Sequence, residues 1–218
     1  MNKLKNSRKL FKIVLQLLVL VLIGGYITTS VVQSTFASNR DGKPNVIITI
    51  NKDGSFTQEG NLFGDELLYP ASVEDAEKGI GSISGVIRIN NQYGRIEVTN
   101  FGVGVDKDKF VVGNEYPIDL VYSSFLNDVE LKIEKGTLFA FDKTLVDYAS
   151  LRDLLDGYTL DERDRFTINK GSIVDLKYTL HMAEKAGNEL QNVTADMEFY
   201  INVSGDKIID DGDDNGGG

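Results

Sequence analysis

Between Val174 and Val203 the chain alternates apolar and polar side chains with a single interruption. Val174, Leu176, Tyr178, Leu180 and Met182 interleave with Asp175, Lys177, Thr179 and His181. A polar loop, Ala186-Gly187-Asn188-Glu189-Leu190-Gln191-Asn192, follows. Ala195, Met197, Phe199, Ile201 and Val203 then interleave with Thr194, Asp196, Glu198, Tyr200 and Asn202. Successive side chains of a strand point to opposite faces, so a sustained period of two requires strands with one buried face. The spacing predicts two neighbouring antiparallel strands, and it places His181 on the wet face.

The same period recurs through most of the chain. Val46-Ile47-Ile48-Thr49-Ile50 is a β-branched strand that leads into the turn Asn51-Lys52-Asp53-Gly54. It reads either as an ordinary sheet strand or as one able to pair with another subunit's open edge. Ile83, Ile87 and Ile89 approach the turn Asn90–Gly94, and Ile96 and Val98 leave it. The apolar phase then slips to Phe101, Val103 and Val105, as a β-bulge requires. Tyr116, Ile118, Leu120 and Tyr122 predict a strand; Val129, Leu131 and Ile133 another; Phe139 and Phe141 a short one. Beyond the polar loop Asp161–Arg165, Phe166 and Ile168 lead into the Val174 strand.

Two stretches depart from this pattern. Ser72 to Gly79 predicts one or two helical turns, with Ser72 as N-cap and Gly79 as stop. In Thr144–Gly157, Leu145, Tyr148, Leu151 and Leu155 recur at three to four residues, which predicts one amphipathic helix packed on the core. About eight to ten short strands with turn signals between them argue an all-β sandwich.

Composition excludes more than it suggests. The chain has no cysteine and one histidine, so disulfides, thiolate or histidine zinc sites and Ser/His/Asp catalysis lack their materials. No phosphate-binding glycine loop, nucleophile elbow or zinc-protease motif is present. Carboxylate pairs such as Asp65/Glu66, Glu74/Asp75 and Asp161/Glu162 are expected by chance among 33 acids, and adjacency does not supply the separation that glycoside chemistry needs. The residues therefore predict no catalytic, cofactor-binding or metal site, and no enzyme.

The two ends read as appendages. Residues 1–37 have the three parts of a secretory signal: basic residues to Lys12, the apolar run Ile13–Ile23, and small residues at Thr35 and Ala37. Cleavage is expected after Ala37. The alternative is an uncleaved anchor, since the stretch through Val32 approaches the roughly 20 residues that span a bilayer. Removing the five basic residues of this segment leaves 18 Lys+Arg against 33 Asp+Glu, a net charge of −15. Such a protein repels phosphate backbones and anionic membrane surfaces, which disfavours nucleic acid as a partner and confines membrane contact to the signal. Residues 38–45 form a polar linker, 46–204 the sandwich, and 205–218 an acidic Gly/Asp tail that lacks the apolar content to fold. The tail's five aspartates invite a calcium reading, but the calcium-loop pattern is not met.

Three stretches, Asn61–Asp65, Ile87–Gly94 and Ala186–Asn192, together resemble the camelysin/TasA-type proteins of Gram-positive bacteria. Asn61-Leu62-Phe63-Gly64-Asp65 resembles their N-L-x-P-G-D segment, and Ile87-Arg88-Ile89-Asn90-Asn91…Gly94 their I-x-I-x-N-x-G region. Ala186–Asn192 is similar to their A-G-N-E-Y-Q-G loop. The resemblance implies a jelly-roll-like antiparallel β-sandwich, exported and assembled into biofilm-matrix fibres, in which a subunit's first strand completes its neighbour's sheet. By position that assembly strand is Val46, Ile47, Ile48, Thr49 and Ile50. Camelysin has also been classed as a metalloprotease, a label for which the single histidine supplies no ligands. From outside this family, the alternative is a monomeric surface adhesin or binding module carried on the acidic spacer.

Overall fold

The computed structural model describes residues 43–63, 67–136 and 143–205. The signal with Ala37, most of the linker, the Phe139/Phe141 strand and the acidic tail after Gly205 lie outside the described residues. The remainder is a β-sandwich. The larger sheet contains β1 (Val46–Ile50), β2 (Phe56–Gly60), β3 (Pro70–Ala71), β4 (Ser82–Asn91), β7 (Val129–Lys135), β8 (Lys143–Ser150) and β11 (Ile173–Ala183). Its order is β2-β1-β4-β11-β7-β8, with β3 added beside β11. The smaller sheet contains β5 (Ile96–Val105), β9 (Tyr158–Thr159), β10 (Phe166–Ile168) and β13 (Met197–Ser204), in the order β10-β5-β13 with β9 also on β5. A separate two-stranded ladder joins β6 (Val111–Val112) to β12 (Val193–Thr194). Pairing is antiparallel except for β1 on β4 and β3 on β11.

One apolar cluster lies between the sheets. Ile48, Ile87, Ile89, Leu131, Ile133, Leu176 and Tyr178 enter it from the larger sheet, and Ile96, Val98, Phe101, Val103 and Phe199 from the smaller. These are the alternating positions of their strands, so burial follows the period that defined the elements. The phase slip after Val98 is also real. Asn202 pairs with Asn100 and Val203 with Val98, which leaves Thr99 as the extra residue of a bulge in β5. Ser72 caps the helix Val73–Glu77 by accepting from the Asp75 N–H, and Gly79 ends it at φ +78°, a conformation that favours glycine.

The expected Val174–Val203 pair of neighbours is corrected by the topology. β11 runs between β4 and β7 in the larger sheet, whereas β13 pairs with β5 in the smaller. Alternation dictates a buried face but not the partner, and the loop between them carries the chain from one layer to the other. The Ile87–Val98 turn behaves alike: β4 ends in one sheet and β5 begins in the other. Asn91 holds this corner. Its buried amide donates to the carbonyls of Gly94 (2.6 Å) and Ile168 (2.9 Å), and its oxygen accepts from the Tyr93 N–H (3.1 Å).

The expected Thr144–Gly157 helix is mostly strand; only Leu151–Leu155 is helical, capped by Ser150. Register shifts in the β7–β8 ladder, from Leu131↔Ala149 to Ile133↔Val146 and on to Glu134↔Thr144, add extra residues to β8. Bulges thus spaced turn a period of two into recurrences of three and four, which imitate a helix. Conversely, the expected Tyr116–Tyr122 strand lies largely within a helix, Ile118–Asp128. The alternating residues Tyr116, Ile118 and Leu120 are 45%, 45% and 50% exposed, so that pattern marks no buried face. The buried stripe is Val121, Phe125 and Leu126, at helical spacing.

Candidate functional site

Val46–Ile50 occupies an inner position. Val46, Ile48 and Ile50 are buried, and both edges of the strand are used. On one side it pairs antiparallel with β2 through the Asn51–Gly54 turn, and on the other parallel with β4, from Val46↔Ile87 to Ile50↔Asn91. One edge of the larger sheet is β8, and the other is therefore β2.

That edge faces a second one. β13 ends the smaller sheet, and between it and β2 runs a groove of about 650 Å³ lined by Ile48, Phe56, Gln58, Met197, Phe199 and Ile201, among others. The register of β2 against Ile50, Ile48 and Val46 turns Phe56, Gln58 and Gly60 toward the sandwich interior. An aromatic, an amide and a glycine do not fill that side, and Phe56 remains 48% exposed although it looks inward. The Gln58 side chain crosses the gap, and its Oε1 accepts from the Phe199 backbone N–H at 3.3 Å. Backbone groups alternate in direction along a strand, so Met197 and Ile201 present their N–H and C=O on the same side as Phe199. The chemistry of this place is that of an unpaired strand edge above an apolar floor.

A second candidate lies on the outer face of the larger sheet. His181 was expected on a wet face; it is 1% exposed. The face is the predicted one, but β3 lies beside β11 and covers the imidazole, whose Nε2 is 2.7 Å from the Ala71 carbonyl. Its Nδ1 is 3.2 Å from Glu130 Oε2, and Tyr148 meets the ring edge-on. Nearby, Lys132 Nζ contacts Glu77 at 2.6 Å and Glu134 at 3.1 Å, and Lys177 approaches Glu134 at 3.5 Å. The Tyr148 hydroxyl donates to Glu77 at 3.2 Å.

Two of these groups, Lys132 and Tyr148, are held in their protonated forms. Burial opposes the charge on Lys132, but hydrogen bonds and charge from Glu77 and Glu134 outweigh it and raise the ammonium above its ordinary 10.5. Burial, then the charge of Glu77, pushes the Tyr148 phenol well above its ordinary 10.0. A firmly protonated lysine and phenol are poor nucleophiles and poor bases. The network joins β7, β8 and the helix Val73–Glu77; it is a fastening of the fold. Among the described residues, no set of three or more His, Cys, Asp or Glu side chains converges as metal ligands would.

A third feature is an apolar cavity of about 480 Å³ beside the Ala186–Asn192 loop, lined in part by Phe63, Leu68, Phe125, Met182, Leu190 and Val193. The Asn114 amide fixes one wall by donating to the carbonyls of Glu189 and Gln191.

Sequence reasoning singled out β1 and missed both the groove and the lysine network. Phe56-Thr57-Gln58-Glu59-Gly60 does carry a signal, an amide and a glycine at inward positions, visible only once its partner strand is known. Lys132 reads as one more outward residue between Leu131 and Ile133, and its partners come from distant segments. Comparison of the chain with protein-family models, with curated proteins and with solved structures gives no match. Among the described residues the fold defines an all-β sandwich in which the unpaired edges of β2 and β13 face each other across a groove.

Proposed function

We propose that this is an exported structural protein of the cell surface or biofilm matrix that assembles into fibres by β-strand addition, with Val46–Ile50 as the strand passed between copies. The observation that carries the reading is the groove between the free edges of β2 and β13. Unpaired strand edges template pairing with another chain, and proteins that stay monomeric usually blunt them. A five-residue strand spans roughly 17 Å, the length of Met197–Ile201. In a single chain β1 is paired on both sides and is the only strand that holds β2, so a copy receives at its groove while its own β1 is in place, and donates by releasing β1 from between β2 and β4 to a neighbour. Export rests on the basic-apolar-small pattern of residues 1–37.

The absence of cysteine makes the test clean. Thr49 and Asn90 face each other across β1 and β4, so Thr49→Cys with Asn90→Cys places one reversible lock on the strand. Electron microscopy of the mature protein should show fibres in reductant and none after oxidation. Fibres of equal length in both conditions would sink the exchanged-strand reading.

The apolar cavity beside Ala186–Asn192 favours a second reading, a monomeric surface adhesin or binding module. A protein that stays monomeric at all concentrations and binds a glycan array, with binding lost in Leu190→Asp, would support it.

A further inference from the structure

We infer that Gln58 is a built-in cap on the β13 edge, which an incoming strand must displace, and that it sets the rate at which copies add to one another. This rests on the strand-addition reading and assigns one residue the control of it. An extended chain pairing with β13 would place a backbone carbonyl opposite the Phe199 N–H. Gln58 Oε1 already occupies that position, as the same kind of amide oxygen, at 3.3 Å. The side chain thus imitates the ligand. It is borne by β2 on the opposite sheet, opposite Ile48, so it also bridges the mouth of the groove.

The inward positions flanking Gln58 are Phe56 and Gly60, and neither closes the gap; Phe56 is half exposed. Among the inward residues of β2, Gln58 alone satisfies a backbone group of the facing edge. A single neutral hydrogen bond of this length is weak enough to be exchanged for a strand's several bonds, and strong enough to deter stray pairing. The occupant to which this device is suited is Val46–Ile50 of a second copy, a β-branched strand as long as the Met197–Ile201 edge it would pair with. A small molecule would use one amide position, whereas Met197, Phe199 and Ile201 offer a row of them.

Two variants separate the hydrogen bond from the bulk. Gln58→Leu keeps the side chain's volume and removes the acceptor; Gln58→Ala removes both. In monomeric protein, hydrogen exchange at the Phe199 amide should quicken at least tenfold in both variants, with each still folded by circular dichroism. In fibre growth followed by light scattering, both should shorten the lag at least threefold relative to unmodified protein. Fibres from all three proteins with equal lags would overturn the gate alone. A lag shortened in Gln58→Ala but not in Gln58→Leu would also overturn it, by showing that bulk is the barrier. If the unmodified protein and both variants form no fibres, the assembly reading falls and the gate falls with it.

Discussion

The Tyr178 hydroxyl donates to the Leu62 carbonyl at 2.7 Å, tying the buried middle of β11 to the segment that leaves β2. Both residues are fully buried, so the carbonyl has no water to turn to. Tyr178→Phe keeps the ring and removes the donor. Leaving such a carbonyl unsatisfied costs about 1–3 kcal/mol. Urea unfolding should show a lower midpoint with an unchanged slope, since the surface exposed on unfolding is the same. An unchanged midpoint would mean that the carbonyl finds another partner.

Asn91 concentrates three hydrogen bonds at the corner between the two sheets, one of them reaching Ile168 at the end of β10. Asn91→Ala strands two carbonyls and one N–H in a place that is 1% exposed. The expected loss is about 3 kcal/mol, less than three independent penalties because the turn relaxes. Asn91→Asp retains the acceptor for Tyr93 but loses both donations and buries a charge, so it should be at least as harmful. Thermal melting of the two variants side by side checks the order.

These two residues show how far the sequence was legible. Tyr178 sits where alternation placed it, and Asn91, expected in the turn, closes β4; the long strands β1, β4, β5, β7, β11 and β13, the β5 bulge, the Ser72 cap and the sandwich class follow from local pattern. Which strand pairs with which does not. The arches at Asn91 and after Ala183 carry the same turn residues that a hairpin would, because turn chemistry reports a change of direction and not the layer the chain returns to. Residues 144–150 misled for a related reason: bulges in β8 are set by its pairing with β7, and their effect on spacing mimics a helix. The groove is less legible still. It exists because two edges, β2 and β13, separated by more than 130 residues, end side by side.

Acid should weaken the fastening on the outer face in a definite direction. The hydrogen bond from Lys132, against the opposing effect of burial, holds the Glu77 carboxyl below its ordinary 4.5. A carboxyl depressed in the folded state contributes stability that is fully present above its unfolded value and is lost as pH falls through the folded one. Melting temperature should therefore decline below about pH 4.5. Lys132→Met should lower stability by about 1–3 kcal/mol near neutral pH, discounted because Glu77 is half exposed, and should flatten part of that acid decline. A variant that keeps the full acid slope would show that other carboxylates carry it.

Gly102 meets Tyr200 directly across the β5–β13 ladder, and the ring lies over the glycine where a Cβ would stand. The tyrosine is held there by its hydroxyl, which donates to the Leu155 carbonyl at the end of the short helix, 2.9 Å away. Gly102→Ala must push the ring off and break that bond, at a cost of roughly 1–3 kcal/mol. For a domain of this size, each kcal/mol lowers the melting temperature by about 2–4 °C. Gly102→Ala combined with Tyr200→Ala removes the clash, so the double variant should lose less than the two single losses added together. Additive losses would show that the ring does not depend on the glycine, and that the helix Leu151–Leu155 is anchored to the smaller sheet by other contacts.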